Sequence, residues 1–453
     1  MSEARITDLY EVTMAHSYLA EGMTAPATFS LFVRKLPPGR GFLVAAGLEP
    51  VLDHLARVRA DQEDVKAFAA ALGRPCHDLE PLLGLGFGGE VWAVPEGRIV
   101  LAGEPLLEVT APLPEAQMVE SFLLNQVCHQ TAVASKAARC VLASGGRPVV
   151  DFSLRRTHGL QAGEQAARLG AMVGFAGTSN VSAAHTFGLR AVGTMAHSYV
   201  EAFGDEAEAF RAFARAHPGP VTFLVDTYDT GAGVAVAARV LRELGLHDGC
   251  AVRLDSGDLG ALAVLARKVL DAAGLPRVRI TASGGLDEYA IDALVRSGAP
   301  IDLFAVGTLV GVSADAPYLD AAYKLVSYDG RPMMKLSAAK VTAPGAKQVF
   351  RGPGFADTIG LRDEPAPRGT SPLLERVMAD GQRTVPPRSL AQARAAFEFD
   401  LAELPAAARG LVDPAAPRAA TSERLRRLTE EVRGRIEDRL RAVGAADPRT
   451  HTG

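Results

Sequence analysis

Between residues 148 and 306, short apolar runs alternate with stretches of helical length. That alternation limits the fold more than any other feature of the chain. Apolar runs fall near 148–152, 171–175, 189–193, 220–226, 250–255, 277–282 and 301–306. Residues 205–217, 232–244, 259–273 and 286–297 read as amphipathic helices between them. Asp258 is a candidate N-cap for the third, and Gly274 and Gly298 follow the ends of the last two. Alternation of this kind calls for a parallel sheet with right-handed crossovers. Seven units come close to the eight of a closed barrel, in which chemistry gathers at the C-terminal ends of the strands.

The flanks read differently. Residues 1 to about 135 hold two helical patterns and strand-like runs at 28–33 and 89–93. Strand-like runs return at 324–328, 333–336 and 348–351. Prolines are dense from Glu364 to Arg418, which predicts extended or loop structure packed on a core. Residues 422–440 form one amphipathic helix, with Leu425, Leu428, Val432, Ile436 and Leu440 on one face. At 453 residues the chain exceeds one small core. The expected division is an N-terminal α+β domain, 1–135, completed by 323–453, around a barrel at 136–322.

Net charge is −4, so no basic field draws nucleic acid. No apolar run approaches the ~20 residues that span a bilayer, and the N-terminus lacks a signal peptide's apolar region. Cys76, Cys128, Cys140 and Cys250 are scattered without a CxxC pair. Reduced thiols and a cytoplasmic location are expected.

Chemistry concentrates at the strand ends. Val252-Arg253-Leu254-Asp255-Ser256-Gly257-Asp258 places one guanidinium and two carboxylates at a turn. The Arg can fork onto phosphate oxygens, and Asp can bind a hard cation such as Mg2+. Ser283-Gly284-Gly285 and Gly307-Thr308 follow at intervals of 28 and 24 residues. Both turns are small enough for backbone N–H groups to close on a phosphate. Together they suggest a site for a phosphorylated sugar.

Four further strand-end segments carry candidates. Asp151-Phe152-Ser153-Leu154-Arg155 sets an aromatic beside arginines, suited to a flat anionic ring. A core Phe with surface arginines has the same pattern. Gly177-Thr178-Ser179-Asn180 reads first as a polar helix cap. His197 in Gly193–Ser198 can serve as base, ligand or nucleophile, although a lone His is more often structural. Asp226 in Val225–Thr230 can orient that imidazole, or simply form a turn. No Walker loop, Rossmann fingerprint after a strand, or GxSxG elbow is present.

In order and spacing these motifs resemble the nicotinate phosphoribosyltransferase family. The likeness begins at Thr7-Asp8-Leu9-Tyr10-Glu11-Val12-Thr13 and runs through 29–33, 37–42 and the strand-end segments above. It ends with Lys335-Leu336-Ser337 and Lys340–Arg351, and fades after about Asp380. The resemblance implies an irregular seven-stranded α/β barrel of the type II phosphoribosyltransferase kind. It implies transfer of phosphoribose from 5-phosphoribosyl 1-pyrophosphate to nicotinate, with Mg2+, and coupled to ATP through phosphorylation of His197. It also implies a homodimer with shared sites. Phe152 and the partner subunit's Tyr10 would then enclose the pyridine ring, and Arg155 would face negative charge. Arg253 and Asp255 would hold the donor and magnesium. Ser283, Gly284, Gly285, Gly307 and Thr308 would take the 5-phosphate, and Asp226 would support His197.

Three other readings compete. A nicotinamide phosphoribosyltransferase would place aspartate where Ser179 stands, and a hydroxyl suits a carboxylate better. A quinolinate enzyme would need a more basic pocket and no ATP. A binding protein with a dead site would not retain His197, Asp226, Arg253 and Asp255.

Overall fold

The computed structural model describes residues 2–336 and 342–445. Ser337 and Lys340, the motif positions named above, lie outside them. The chain forms two compact units, Met1–Thr131 with Tyr318–Gly453, and Ala132–Pro317.

The second unit carries the parallel sheet. Strands Thr222–Leu224, Ala251–Leu254, Arg279–Ala282, Leu303–Val306 and Val149–Asp151 pair in that order. Beyond Asp151 the pairing continues through single-residue parallel bridges, Asp151 to Thr178 and Thr178 to Ala191. Seven strand positions result, two of them reduced to one residue. All four residues of Ala251–Leu254 are buried, as in a parallel sheet covered on both faces, and three of them are apolar.

The helices between strands start on designed caps. Asp229, Asp258 and Asp287 each accept a hydrogen bond from the first turn of the helix that follows. Asp258 is thereby committed to the helix Leu259–Ala272, with Gly260 N and Ala261 N both 3.1 Å from Oδ1. Gly274 and Gly298 leave their helices at φ +75° and +71°, a region open to glycine at little cost.

The first unit is built on a seven-stranded antiparallel sheet. Its order is Arg331–Pro332, Ala321–Tyr328, Pro26–Val33, Pro105–Pro112, Glu90–Ala93, Glu375–Ala379 and Gln382–Arg383. Ala27 pairs with Tyr328 and Val33 with Ala321, so C-terminal sequence completes the N-terminal sheet. Tyr323 is buried, stacks on Phe29 at 4.7 Å and donates to Ala116 O. The C-terminal helix Glu423–Ala445 buries Leu425 and Val432 while Leu440 is exposed, so its apolar stripe is covered only at the start.

Three local expectations fail for identifiable reasons. Residues 171–175 are not a strand. Met172 ends the helix Leu160–Met172, and Phe175 packs against Gly170 so closely that a Cβ there would meet its ring at 2.6 Å. Residues 333–336 leave the sheet, whose edge strand stops at Pro332. The proline-rich 364–418 region holds the strand Glu375–Ala379, which is extended as expected, but also the helix Leu390–Glu403, started by a Ser389–Gln392 capping box.

One buried cluster in this unit sets a pH dependence. Arg351 lies against Asp357 (2.8 Å), Asp400 (3.1 Å) and Glu104 (3.8 Å), and Arg98 also holds Asp400 (2.8 Å). Two cations thus face three carboxyls. Burial, then the neighbouring Asp357 charge, push Glu104 up to about 8, against the pull of Arg351. An unfolded Glu titrates at its ordinary 4.5. Between those values folding takes up a proton, so this group's stability contribution, complete below 4.5, is lost as pH rises through 8. The loss is ~1.4 kcal/mol per pH unit at most. Urea unfolding at pH 5.5 and 8 should show wild type losing stability relative to Glu104→Gln. Parallel pH profiles for the two proteins would rule out the raised Glu104 carboxyl as the cause.

Candidate active site

Arg253 is the hub of the strand-end cluster. It points from the strand Ala251–Leu254 and is almost fully buried. Its Nε donates to Ser283 Oγ (2.8 Å), Nη1 to Thr194 Oγ1 (2.8 Å) and Nη2 to Asp255 Oδ1 (2.8 Å). Its guanidinium also sits 5.4 Å from the centroid of the Phe152 ring. Residues from four strand ends therefore meet at one side chain.

Asp255 is braced on one oxygen. Oδ1 accepts from Arg253 and from Ser283 Oγ at 2.5 Å. Burial pulls this carboxyl up. Hydrogen bonds from Arg253 and Ser283, with the Arg253 and His197 charges, outweigh it and hold the group below the usual carboxylate range. Asp255 is thus an ionised carboxylate, and its Oδ2 lies 4.0 Å from His197 Nε2.

His197 begins the helix His197–Phe203. Its Nδ1 lies 3.2 Å from Thr227 Oγ1. Asp226 was expected to hold this imidazole and does not. Its Oδ2 accepts instead from Asp255 N (3.0 Å) and Ser256 Oγ (2.7 Å), and its Oδ1 is buried without a hydrogen-bond partner. Successive residues leaving a strand point in different directions. Thr227 therefore reaches the histidine while Asp226 secures the turn after the next strand.

The glycine turns are shaped for close approach. Gly284 has φ +91°, and a Cβ there would fall 1.8 Å from Asp255 O. The N–H groups of Gly284 and Gly285 donate to no acceptor among the described residues. At the last strand end, a Cβ on Gly307 would stand 3.0 Å from Phe152 O, and Thr308 opens a single helical turn.

Ser179 is half-buried and donates its N–H to Asp151 O (2.8 Å). Arg155 stands exposed on the short turn Leu154–Arg156. Tyr10 belongs to the first unit, on the helix Leu9–Ala20, and is exposed. Sequence reasoning assigned no role to Thr194, Thr227 or Ser256. Hydroxyl residues next to His197, Asp226 and Asp255 were the available signal.

A barrel whose parallel strands all deliver polar side chains to one end, around an arginine–aspartate pair, defines a class. Crystal structures of human nicotinic acid phosphoribosyltransferase and of a nicotinate-nucleotide pyrophosphorylase from Pyrococcus furiosus share the fold. The first has TM-score 0.81 and 30% identity, over 94% of this chain and 99% of that one. The second has TM-score 0.74 and 25% identity, over 88% and 95%. The fold is that of the type II phosphoribosyltransferases.

The model of the nicotinate phosphoribosyltransferase N-terminal domain matches residues 6–128, and that of the nicotinate phosphoribosyltransferase family matches 148–299. The chain is 50% identical over 386 residues to nicotinate phosphoribosyltransferase pncB2 of Mycobacterium tuberculosis (strain H37Rv), covering 84% of this chain and 82% of that protein. It is 42% identical over 354 residues to the nicotinate phosphoribosyltransferase of Bacillus subtilis (strain 168), covering 76% and 72%. The chain belongs to the nicotinate phosphoribosyltransferase family.

Proposed function

We propose that this protein transfers phosphoribose from 5-phosphoribosyl 1-pyrophosphate to nicotinate, giving nicotinate mononucleotide and pyrophosphate for NAD synthesis. The observation that carries the reading is the Arg253–Phe152 contact at 5.4 Å. It makes neighbours of the residue suited to the donor's anion and the residue suited to a flat ring. A reaction joining those two substrates needs that proximity.

In the transfer the ribosyl C1–O bond breaks, and its electron pair leaves with pyrophosphate. The ring nitrogen of nicotinate forms the new bond to C1. Positive charge builds on the sugar and negative charge on the leaving group. Arg253 stabilises the latter, and its bonds to Ser283, Thr194 and Asp255 fix its direction beforehand. The N–H groups of Gly284, Gly285, Gly307 and Thr308 receive the 5-phosphate, while Ser283, bonded to Arg253 and Asp255, holds the turn beside them. Phe152 supports one face of the pyridine, and Ser179 and Arg155 favour its carboxylate.

Mg2+ fits the same corner. Asp255 is ionised, and Asp226 Oδ1 is a buried oxygen without a partner. Among the described residues, no group of three or more His, Cys, Asp or Glu side chains could hold a metal alone. Asp255 would hold the ion, with donor phosphates and water completing its shell, as Mg2+ commonly accepts. The ion supplies charge neutralisation on the leaving pyrophosphate.

ATP enters as a second substrate through His197. The imidazole attacks the γ-phosphate, the β–γ P–O bond breaks, and ADP leaves with its electrons. Water later hydrolyses the phosphohistidine. The assembly is a homodimer in which Tyr10 of one chain covers the ring held by Phe152 of the other. Support comes from apolar residues left exposed near the strand ends, Leu160, Val181 and Tyr228, and from Tyr10 itself. No helix of the described residues is long and apolar enough to cross a membrane.

The test is product analysis with nicotinate, nicotinamide and quinolinate, each with and without ATP. Nicotinate should be the preferred acceptor. Ser179→Asp should weaken its use at least about tenfold, or ~1.4 kcal/mol, by like-charge repulsion. Equal use of nicotinamide by the wild type would defeat the assignment.

A further inference from the structure

The barrel is held unevenly around its circumference. Ala251–Leu254 pairs with Arg279–Ala282 over four residues, and Leu303–Val306 with Val149–Asp151 over three. On the far side of Asp151 the regular ladder gives way to single bridges, Asp151 to Thr178 and Thr178 to Ala191, held by the backbone bonds Ala176 N to Val149 O (2.7 Å), Asp151 N to Gly177 O (2.9 Å) and Ser179 N to Asp151 O (2.8 Å). Phe152 and Ser179, two residues assigned above to nicotinate, follow this join directly.

Buried side chains add a second tie across the join. Asp151 and Thr178 are both almost fully buried, at 3% and 1% exposure. Thr178 Oγ1 donates to Asp151 Oδ2 at 2.7 Å and accepts from Asn180 N at 3.0 Å. Asp151 Oδ1 accepts from Ser153 N at 2.9 Å, and its backbone O accepts from Ser179 N at 2.8 Å. Asn180 Oδ1 then accepts from Ala183 N to start the helix Val181–Phe187. One carboxylate thus grips the turn after Phe152 with one oxygen and the turn before Ser179 with the other. Phe152 N itself donates to Val306 O at 2.7 Å, so its backbone is anchored on the opposite neighbour.

We infer that the buried Asp151–Thr178 hydrogen bond positions the Phe152 and Ser179 turns relative to each other and thereby sets the affinity for nicotinate. This rests on the reading of Phe152 and Ser179 as nicotinate contacts. Neither Asp151 nor Thr178 need touch substrate. Both are positioning residues, acting through the backbone of the turns they join. The side chains of Asp151 and Thr178 bond to each other, to Ser153 N and to Asn180 N, and to none of the donor's groups, Arg253, Asp255 and the glycine turns. Loosening the pair should therefore injure nicotinate binding and spare donor binding. Loss of binding shared equally by the ground and transition states raises KM with little change in kcat.

The experiment compares Thr178→Val, which keeps the shape and removes the hydroxyl, with Thr178→Ser, which restores it. Ala263→Gly serves as a control. Ala263 is fully buried on the helix Leu259–Ala272, and the change lowers stability without touching the join. Nicotinate affinity is read by calorimetry. KM for each substrate is read by steady-state assay, and folding by thermal unfolding. Thr178→Val should weaken nicotinate about tenfold, with KM for 5-phosphoribosyl 1-pyrophosphate changed less than about twofold. Thr178→Ser should recover wild-type affinity, and Ala263→Gly should keep it. If Thr178→Val leaves Asp151 too costly to fold, the double variant Asp151→Asn/Thr178→Val removes the stranded charge and supports the same comparison. Unchanged nicotinate affinity, or an equal loss for both substrates or in the control, overturns the inference. Such a result leaves the proposed reaction standing. A wild-type enzyme that ignores nicotinate removes both.

Discussion

Asp255→Asn is expected to lower phosphoribosyl transfer about a hundredfold or more while leaving the protein folded. The substitution keeps the shape of the side chain and deletes its charge. In the wild type, Oδ1 receives bonds from Arg253 and Ser283, and the carboxyl is held in its ionised form. An amide can keep one of those bonds through its oxygen, but its NH2 group repels a cation. A magnesium ion at this corner loses its protein charge, and Arg253 loses the anion that aims it. Displacing one preorganised electrostatic group typically costs ~10²–10³ in turnover. The cost in folding is smaller, about 2 kcal/mol for a weakened bond to a charged partner. Activity across a magnesium titration, set beside thermal unfolding, separates the two effects. Full activity at every magnesium concentration would refute the role of Asp255.

His197→Ala should abolish ATP hydrolysis and all stimulation by ATP. The imidazole is held at Nδ1 by Thr227 at 3.2 Å, with the Asp255 carboxylate 4.0 Å from Nε2. A neutral ring so held can attack a phosphorus centre. The phosphoryl group brings nearly two negative charges beside Arg253 and Asp255. In the proposed cycle those charges would reorganise the donor site, and their removal by hydrolysis would release products. Because Arg253, Asp255 and the glycine turns remain in the variant, a slow transfer without ATP should persist. Phosphate transfer from γ-labelled ATP reads the step directly, with acid-labile, base-stable label on wild type alone. Label retained after His197→Ala would assign the coupling to another residue.

Much of this site could be read one strand at a time. Arg253 and Asp255 lie two residues apart on one strand end, so their meeting follows from the chain itself. Gly284 announces a turn that excludes a Cβ, although only the fold shows that the excluded atom would strike Asp255 O. The misjudged contact was Asp226 with His197. A carboxylate on the next strand looked like the natural partner for a histidine. The neighbouring Thr227 takes that place because direction changes from one residue to the next at a strand end, and spacing alone does not encode it. The capping box at Ser389 was legible, but the surrounding prolines masked it. Residues 171–175 misled for a related reason, since a short buried apolar run looks alike in a strand and at a helix end.

Local sequence determined the alternating units, the Asp-capped helices, the glycine turns and the identity of the strand-end chemistry. Each depends on residues within one turn or one strand of each other, where propensity and capping act directly. Tertiary structure decided which of those residues meet. It gathered Ser283, Thr194, Asp255 and Phe152 around one guanidinium. It also set Thr178 beside Asp151, where a buried hydroxyl and carboxylate tie two strand ends together. Those outcomes depend on strand order, register and side-chain direction, which are fixed only when distant segments pack together.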